Sequence, residues 1–334
     1  MKVSIITPVF NGASTIERTI RSVISQKDVL IEYIIVDGLS TDGTDDIIRK
    51  YRKYVTKYIR EKDTGLYDAM NKGISMASGD LVGIINSDDW YEPGCIKKVV
   101  EFYSVNNCDI IYGDFNVIDG EKVRIQKAHE LKKMCTEMVT PHPTMFVKRS
   151  VYNKMGGYNL RYKMAADYDF ALNCYMSNES FGYINDVLSN FSLGGLSTLN
   201  VDLSEKETHE IMKKRIDDKI LRECFEKLLD LRIVVHGAGF WGTWLVEKLT
   251  ELYTNNIIWV DQNYDKKKET VINGIGVMPV NECEFDRQVI VAVYEGETIE
   301  NQYRNNGKRT ITISALLNEY MNCIFDAKRF FRSD

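Results

Sequence analysis

An α/β chain of two domains is the fold class that the sequence predicts, on three observations. From Lys2 onward, short β-rich apolar runs alternate with stretches of helical apolar spacing, the order that yields right-handed βαβ units and a mostly parallel sheet flanked by helices. The alternation restarts at Arg232, after a charged helical stretch. With 334 residues, 44% of them hydrophobic, the chain can build two cores. The expected divisions are 1–202, a helical linker 203–230, and 231–334.

Composition narrows the function classes. Basic residues number 43 against 48 acidic, a mixed charge with no mark of a nucleic-acid surface. The seven Cys are scattered, with no C-x-x-C pair, and read as reduced thiols, neither a disulfide framework nor a zinc site. Met1 runs directly into a strand pattern without a signal peptide's apolar core, and no stretch approaches the ~18 apolar residues of a membrane span. The chain reads as cytoplasmic, working at a membrane only from its inner face.

Taken in order, residues 2–7 form a strand stopped by Pro8, and Asn11-Gly12 marks the turn. Ser14 or Thr15 caps a helix with apolar Ile16, Ile20, Val23 and Ile24. A second strand, 32–36, ends at Asp37, and a polar loop leads into a helix over 45–54. Asp37 suits a nucleoside, since a carboxylate accepts from base N–H or ribose hydroxyls; the alternative is a capping turn. After a helix beginning near residue 66, the apolar run 81–85 ends in Asn86-Ser87-Asp88-Asp89. A buried strand thus carries two acids to its carboxyl end, where open α/β sheets bind ligands. A divalent cation would relieve their repulsion; the alternative is a polar turn.

A helix over 94–103 and a strand over 109–114 follow, then a hairpin over 117–126 turning at Asp119-Gly120. His142 stands between Pro141 and Pro143, which predicts restricted, extended backbone. Gly156-Gly157 turns the chain into Asp167 and Asp169, ahead of a helix through Phe170, Leu172, Cys174 and Tyr175. A plain N-cap competes as the role of either Asp. Gly194 and Gly195 lie in a candidate lid loop. Residues 203–229 are amphipathic, with a polar face of both signs that argues against strong attraction to anionic lipid while leaving peripheral membrane association open.

Four of these segments, taken together, resemble the successive motifs of family 2 inverting glycosyltransferases with the GT-A fold. They are Pro8-Val9-Phe10-Asn11; Val36-Asp37-Gly38 through Gly43-Thr44; Asp63-x-Gly65-x-Tyr67-Asp68-Ala69-Met70-Asn71-Lys72-Gly73; and Asn86-Ser87-Asp88-Asp89. The resemblance implies that Pro8, Val9, Phe10 and Asn11 line the nucleotide base, that Asp37 and Asp63 hold the nucleoside, and that residues 86–88 stand at the D-x-D position. Asn86 departs from that pattern. Asp88 is left as the metal ligand and nucleotide contact, with Asp89 a second ligand or a ribose contact, for Mn2+ or Mg2+. The resemblance also places His142 near the metal and diphosphate, Asp114 on the sugar side, and Gly194 and Gly195 against the diphosphate. Asp167 takes the place of the base that deprotonates the acceptor, here in Ala-Asp where Glu-Asp is usual, with Asp169 capping or orienting. The implied partners are a nucleotide-sugar donor, by expectation a UDP-sugar, and a glycan or lipid-linked acceptor of bacterial surface-polysaccharide synthesis.

The second domain opens with a strand over 232–236 that runs into Gly237-Ala238-Gly239-Phe240-Trp241-Gly242 and a helix over 244–252. A further strand, 257–260, ends at Asp261. Gly237, Gly239, Gly242 and Asp261 match a dinucleotide-binding fingerprint, and strands over 288–293 and 309–313 with a helix over 298–306 complete a small Rossmann-like unit. No Tyr-x-x-x-Lys constellation accompanies it. A structural, oligomerisation or partner-docking role is favoured over a bound nucleotide or nucleotide-sugar, since glycine can be needed simply for tight strand–helix packing. Two further functions compete with sugar transfer: a nucleotide-dependent oxidoreductase or epimerase-like enzyme centred on Gly237–Gly242, and a non-catalytic sugar-nucleotide-binding scaffold.

Overall fold

The computed structural model describes residues 1–128, 130–135, 137–283, 287–293 and 296–330. The chain divides into two compact units, Met1–Ile211 and Met212–Asp334. The first runs β1 (Lys2–Val9), α1 (Ile16–Ile24), β2 (Leu30–Asp37), α2 (Thr44–Lys50), β3 (Lys57–Arg60), α3 (Leu66–Met76), β4 (Leu81–Ile84), β5 (Trp90–Tyr91) and α4 (Cys95–Asn106). It continues through β6 (Ile110–Asp119), β7 (Lys122–Gln126), β8 (Phe146–Lys148), α5 (Arg149–Met155), α6 (Ala166–Met176), β9 (Phe181–Ser192) and α7 (Leu196–Leu199), and the division falls within α8 (Val201–Arg215). Its sheet has the order β3-β2-β1-β4-β8-β6-β9-β5, with β7 on β6. Strands β3, β2, β1 and β4 are mutually parallel, β8 runs against β4 and β6, and β9 runs with β6.

Helices cover both faces, so β1 and β2 are buried along most of their length, which is why they read as continuous apolar runs. Val3 and Ile5 pack with Ile16, Ile20 and Val23 of α1, each burial contributing about 1.5–3 kcal/mol. A Cβ at Gly73 would collide with the side chain of Ile6. That close approach explains a glycine inside α3 despite its cost of about 1 kcal/mol in a helix.

At the amino end of this sheet Glu32, 5% exposed, ties three strands together. Its carboxylate accepts from Ser4 Oγ (2.6 Å), Ser78 N (2.7 Å) and Ser78 Oγ (2.7 Å), and pairs with Lys57 at 2.9 Å. Burial alone would raise its pKa, but the hydrogen bonds from Ser4, Lys57 and Ser78 outweigh it and hold the acid down to about 2.

The second unit contains α9 (Asp218–Leu228), β10 (Ile233–His236), α10 (Phe240–Leu252), β11 (Ile257–Asp261), α11 (Tyr264–Lys267), β12 (Val271–Ile272), β13 (Ile275–Pro279), β14 (Gln288–Val291), α12 (Glu297–Asn305), β15 (Thr310–Thr312) and α13 (Ile313–Phe330). The sheet order β12-β13-β11-β10-β14-β15 is parallel apart from the β12–β13 hairpin, a small Rossmann-like arrangement. Among the described residues no disulfide links the cysteines. Among the described residues no helix is long and apolar enough to cross a membrane.

Several expected boundaries shift. Pro8 does not stop β1, which continues to Val9. Ile6 C=O accepts from Ile85 N–H on the β4 side, and Pro8, two residues on, faces the same way past the end of β4, so its missing N–H leaves no ladder bond unmade. The expected cap on α1 is absent, since Thr15 Oγ1 turns back to Gly12 C=O at 3.4 Å. The helix expected over 45–54 ends at Lys50 and gives way to a 3-10 turn. The amphipathic stretch breaks at Asp217, whose side chain accepts from Lys219 and Ile220 N–H and caps α9. The β12–β13 hairpin and α13 were not foreseen.

Candidate active site

The cavity of about 590 Å³ in the first unit lies at the carboxyl ends of β1 and β4. Its floor begins where β1 releases the chain at Pro8, Val9, Phe10, Asn11 and Gly12. Asn11 adopts left-handed backbone (φ 51°), its N–H donates to Ser40 Oγ at 2.8 Å, and its Oδ1 accepts from Thr41 N–H at 2.9 Å. The loops after β1 and β2 are thereby cross-linked, leaving Phe10 exposed (64%) on the cavity wall. A Cβ at Gly38 would strike the Asp63 carboxylate, so glycine there lets Asp63 and Phe10 approach one another. Asp63 lines the cavity, with Oδ1 accepting from Gly65 N–H at 3.0 Å.

Asp37 stands elsewhere. It is fully buried outside the cavity lining, accepting from Ser40 N–H (2.8 Å) and Arg60 Nε (3.1 Å), with Tyr58 Oη 3.2 Å away. These partners make its carboxylate a hold on the Ser40 loop.

The acidic turn after β4 separates its two carboxylates. Asp88 lines the cavity, where burial raises its pKa and Arg18 only partly opposes that rise. A Cβ at Gly195 would collide with Asp88 Oδ2, so this glycine lies directly against the acid. Asp89 is 1% exposed and turns to Ser192 N–H at 3.0 Å, away from the cavity lining. Burial and then Asp88 push its carboxyl well above the usual range, and both its Oδ2 and Asn86 Oδ1 are buried without a hydrogen-bond partner. Of the two acids expected at the metal, Asp88 lines the cavity and Asp89 is held by the backbone of Ser192. Arg18 joins the same elements, donating to Asp88 C=O (2.7 Å) and Ser192 Oγ (3.0 Å) while lying 3.5 Å over the Trp90 ring.

On the far side of the sequence, Asp167 lines the cavity from the first turn of α6. Its Oδ1 accepts from Tyr67 Oη at 2.8 Å. Burial, then the charge of Asp167, raises the Tyr67 pKa well above its usual value, so the phenol keeps its proton and donates. The Tyr67 ring lies 5.4 Å from that of Tyr158, whose hydroxyl is 3.4 Å from His142 Nε2. His142 also lines the cavity, its pKa lowered by burial against an opposing pull from Asp167, so the imidazole is neutral at pH 7. Its backbone is a 3-10 turn, His142–Thr144, and not the extended form expected between two prolines.

Asp114, Asp169 and Gly195, expected in the donor or acceptor pocket, fall outside the lining. Asp114, 3% exposed, accepts from Tyr183 Oη (2.7 Å) and Ala128 N–H (2.9 Å), fixing the exit of the β6–β7 hairpin. Asp169, two residues beyond Asp167 on α6, turns to Asn159 Nδ2 at 3.3 Å. Gly194 (φ 95°) does line the cavity, beside Leu196. Sequence reasoning missed Arg18, Tyr158 and the cavity-lining Lys163, and it named Tyr67 within a motif without giving it a task. Arg18 and Tyr67 carry no local signal, because Asp88, Ser192 and Asp167 are remote in sequence.

In the second unit the glycine loop is closed on itself. Asp261 Oδ2 accepts from Ala238 N–H and Oδ1 from Asn263 N–H, both at 2.6 Å. Trp259 Nε1 donates to Gly237 C=O at 2.8 Å, and a Cβ at Gly242 would run into that same carbonyl. Gly239 has open space where a Cβ would stand.

Comparison with known proteins bears on both fold and activity. The sequence profile described as "Glycosyl transferase family 2" matches residues 4–168. A PGL/p-HBAD biosynthesis glycosyltransferase of Mycobacterium bovis is 32% identical over 207 residues, spanning 60% of this chain and 80% of its own. Among solved structures, S. aureus TarS 1–349 in complex with UDP-GlcNAc matches with a TM-score of 0.56 at 19% identity, over 81% of this chain and 77% of that one. The mannosyltransferase PcManGT from Pyrobaculum calidifontis, in complex with GDP-Man and Mn2+, matches with a TM-score of 0.52 at 16% identity, over 64% and 65%. At these identities the structural likeness is one of fold, the GT-A fold that the four motifs implied.

Proposed function

The chain belongs to glycosyl transferase family 2 and is a glycosyltransferase; from that premise we propose that its first unit moves a hexose from a UDP-sugar, with inversion, to a hydroxyl of a glycan or lipid-linked acceptor in surface-polysaccharide synthesis. One observation carries this reading: Asp63, Asp88 and Asp167, remote in sequence, line a single cavity together with Phe10 and His142. Phe10 and Asp63 would hold the base and ribose.

Inversion requires a base that takes the acceptor's proton as its oxygen attacks the anomeric carbon in line, opposite the leaving diphosphate. Asp167 suits that task. Its Oδ1 is engaged by the Tyr67 hydroxyl, which orients the carboxylate and leaves Oδ2 for the acceptor O–H. Lys163, on the same wall, adds positive charge, and the Gly194–Leu196 loop would exclude water over the donor.

The donor set fits a hard divalent cation. Asp88 offers a carboxylate whose desolvation is only partly offset, and His142 a neutral imidazole. Among the described residues no three or more His, Cys, Asp or Glu form a protein cage. Asp88 and His142, both on the cavity wall, would hold Mn2+ or Mg2+. When bound, the cation would neutralise the charge that develops on the leaving nucleoside diphosphate. We assign the reaction to the cytoplasm, with peripheral association at the inner face of the membrane, and assign the second unit to oligomerisation or partner docking because its glycine loop is self-closed.

A screen of UDP- and GDP-sugars for Mn2+-dependent binding and hydrolysis tests the reading. The expected result is turnover of a UDP-sugar, abolished by chelator and lowered about 10²-fold or more by Asp88→Ala. Hydrolysis indifferent to both would overturn the metal assignment. Turnover confined to GDP-sugars would overturn the donor assignment.

A further inference from the structure

We propose that Glu207, on the helix that follows the lid loop, is a positioning residue for the base Asp167; this rests on the glycosyltransferase reading above. Glu207 belongs to α8 and is 7% exposed. Its carboxylate accepts from three consecutive backbone N–H groups: Lys163 (2.8 Å to Oε1, 2.9 Å to Oε2), Met164 (2.8 Å to Oε2) and Ala165 (3.0 Å to Oε2). These amides lie immediately before α6, and Asp167 is the second residue of that helix.

Local sequence offers nothing to satisfy them. Ala165 occupies the N-cap position, where Ser, Thr, Asp or Asn would supply an oxygen, and it makes no side-chain cap. Glu207 does this work from 42 residues away. A carboxylate suits the place because it only accepts, because three converging N–H groups form an anion-binding concavity, and because the start of a helix favours negative charge. The held residues are also part of the cavity, since Lys163 and Met164 line it beside Asp167. One turn further along α8, Glu210 reaches Arg161 at 3.0 Å, a second and more exposed tie to the same loop.

Glu207 also links the base to the lid. The chain passes from Gly194 through α7 directly into α8, so the helix that bears Glu207 is the continuation of the loop that touches Asp88. A shift of α8 therefore moves the backbone that carries Asp167. Misplacing a catalytic group by about 1 Å can cost about 10²-fold in rate.

The test compares Glu207→Gln, Glu207→Asp and Asp167→Asn in the full chain, measuring turnover of the UDP-sugar that the wild type hydrolyses, binding of UDP with Mn2+, and the pH profile of kcat. Gln presents an NH2 group to an amide and can satisfy the three donors with one oxygen only. Glu207→Gln is expected to lower kcat about 10- to 100-fold, leave the UDP Kd within about 3-fold, and shift the basic group seen in the pH profile. Glu207→Asp, one methylene shorter, gives an intermediate kcat and keeps the protein folded should the Gln variant not fold. Wild-type kcat in Glu207→Asp, or a proportional fall of UDP affinity, kcat and melting temperature in either variant, would overturn the proposal. If Asp167→Asn also retains full activity, the assignment of the base fails instead.

Discussion

The two sheets put a glycine-bearing loop at the same topological place, after the first parallel strand, and do opposite things with it. After β10 the loop folds onto itself: Asp261 takes Ala238 N–H, and Trp259 takes Gly237 C=O. After β1 the chain opens into a cavity of about 590 Å³. Even the acid at the end of the second strand behaves alike in both units, since Asp37 and Asp261 each accept from a loop amide. The difference lies in the other acids. Asp63, Asp88 and Asp167 present themselves to the first cavity, whereas the second unit's fingerprint acid closes its own loop. A glycine motif thus marks where backbone comes close; the partners of its N–H and C=O groups decide whether a ligand can enter.

Three substitutions break or sharpen that contrast, beyond those already proposed at Asp88 and Glu207. The largest effect is expected from Asp167→Asn, which removes the proposed base while keeping shape: turnover of the donor sugar should fall about 10²- to 10⁴-fold with donor binding retained. Single-turnover kinetics alongside UDP binding would check it, and an equal loss in both would recast Asp167 as structural. In the second unit Gly242→Ala forces a Cβ against Gly237 C=O and should destabilise that unit by about 1–3 kcal/mol. Denaturant melts would show the loss, while donor hydrolysis below the transition stays near wild type; a coupled loss of hydrolysis would mean that the second unit serves the first cavity.

Glu32→Gln sharpens the comparison from the amino end of the first sheet, where an acid is held as completely as Asp261. At pH 7 the variant should lose roughly 1–3 kcal/mol, as expected on weakening a buried charge-assisted network. The pH sign follows from the depressed pKa. Glu32 stabilises the fold above its unfolded value of about 4.3 and loses that contribution as pH falls through about 2. Unfolding midpoints measured between pH 7 and pH 2 should therefore converge for wild type and variant. Parallel curves would show that the carboxylate's charge is not the source.

Much of the fold was legible because strands buried on both faces leave continuous apolar runs, as in β1 and β2, and because Asn86-Ser87-Asp88-Asp89 follows such a run at once. Helix α13 could have been read as well. Ile313, Leu316, Leu317, Tyr320 and Met321 recur at helical spacing and are all buried. The break at Asp217 likewise had a local cause, a capping side chain within an otherwise continuous amphipathic pattern.

The sequence by itself determined the two α/β units, the order of the four motifs, and the acids that reach the carboxyl end of the first sheet. It could do so because apolar periodicity and turn chemistry act between residues a few positions apart. Only the tertiary structure decided which acids face the cavity. Asp88 turns in while Asp89 turns to Ser192, 103 residues on; Asp37 turns to Arg60; and Asp167 meets Tyr67 across 100 residues. A carboxylate's role is set by the donors packed around it, and those donors arrive from strands and helices that only the folded chain brings together.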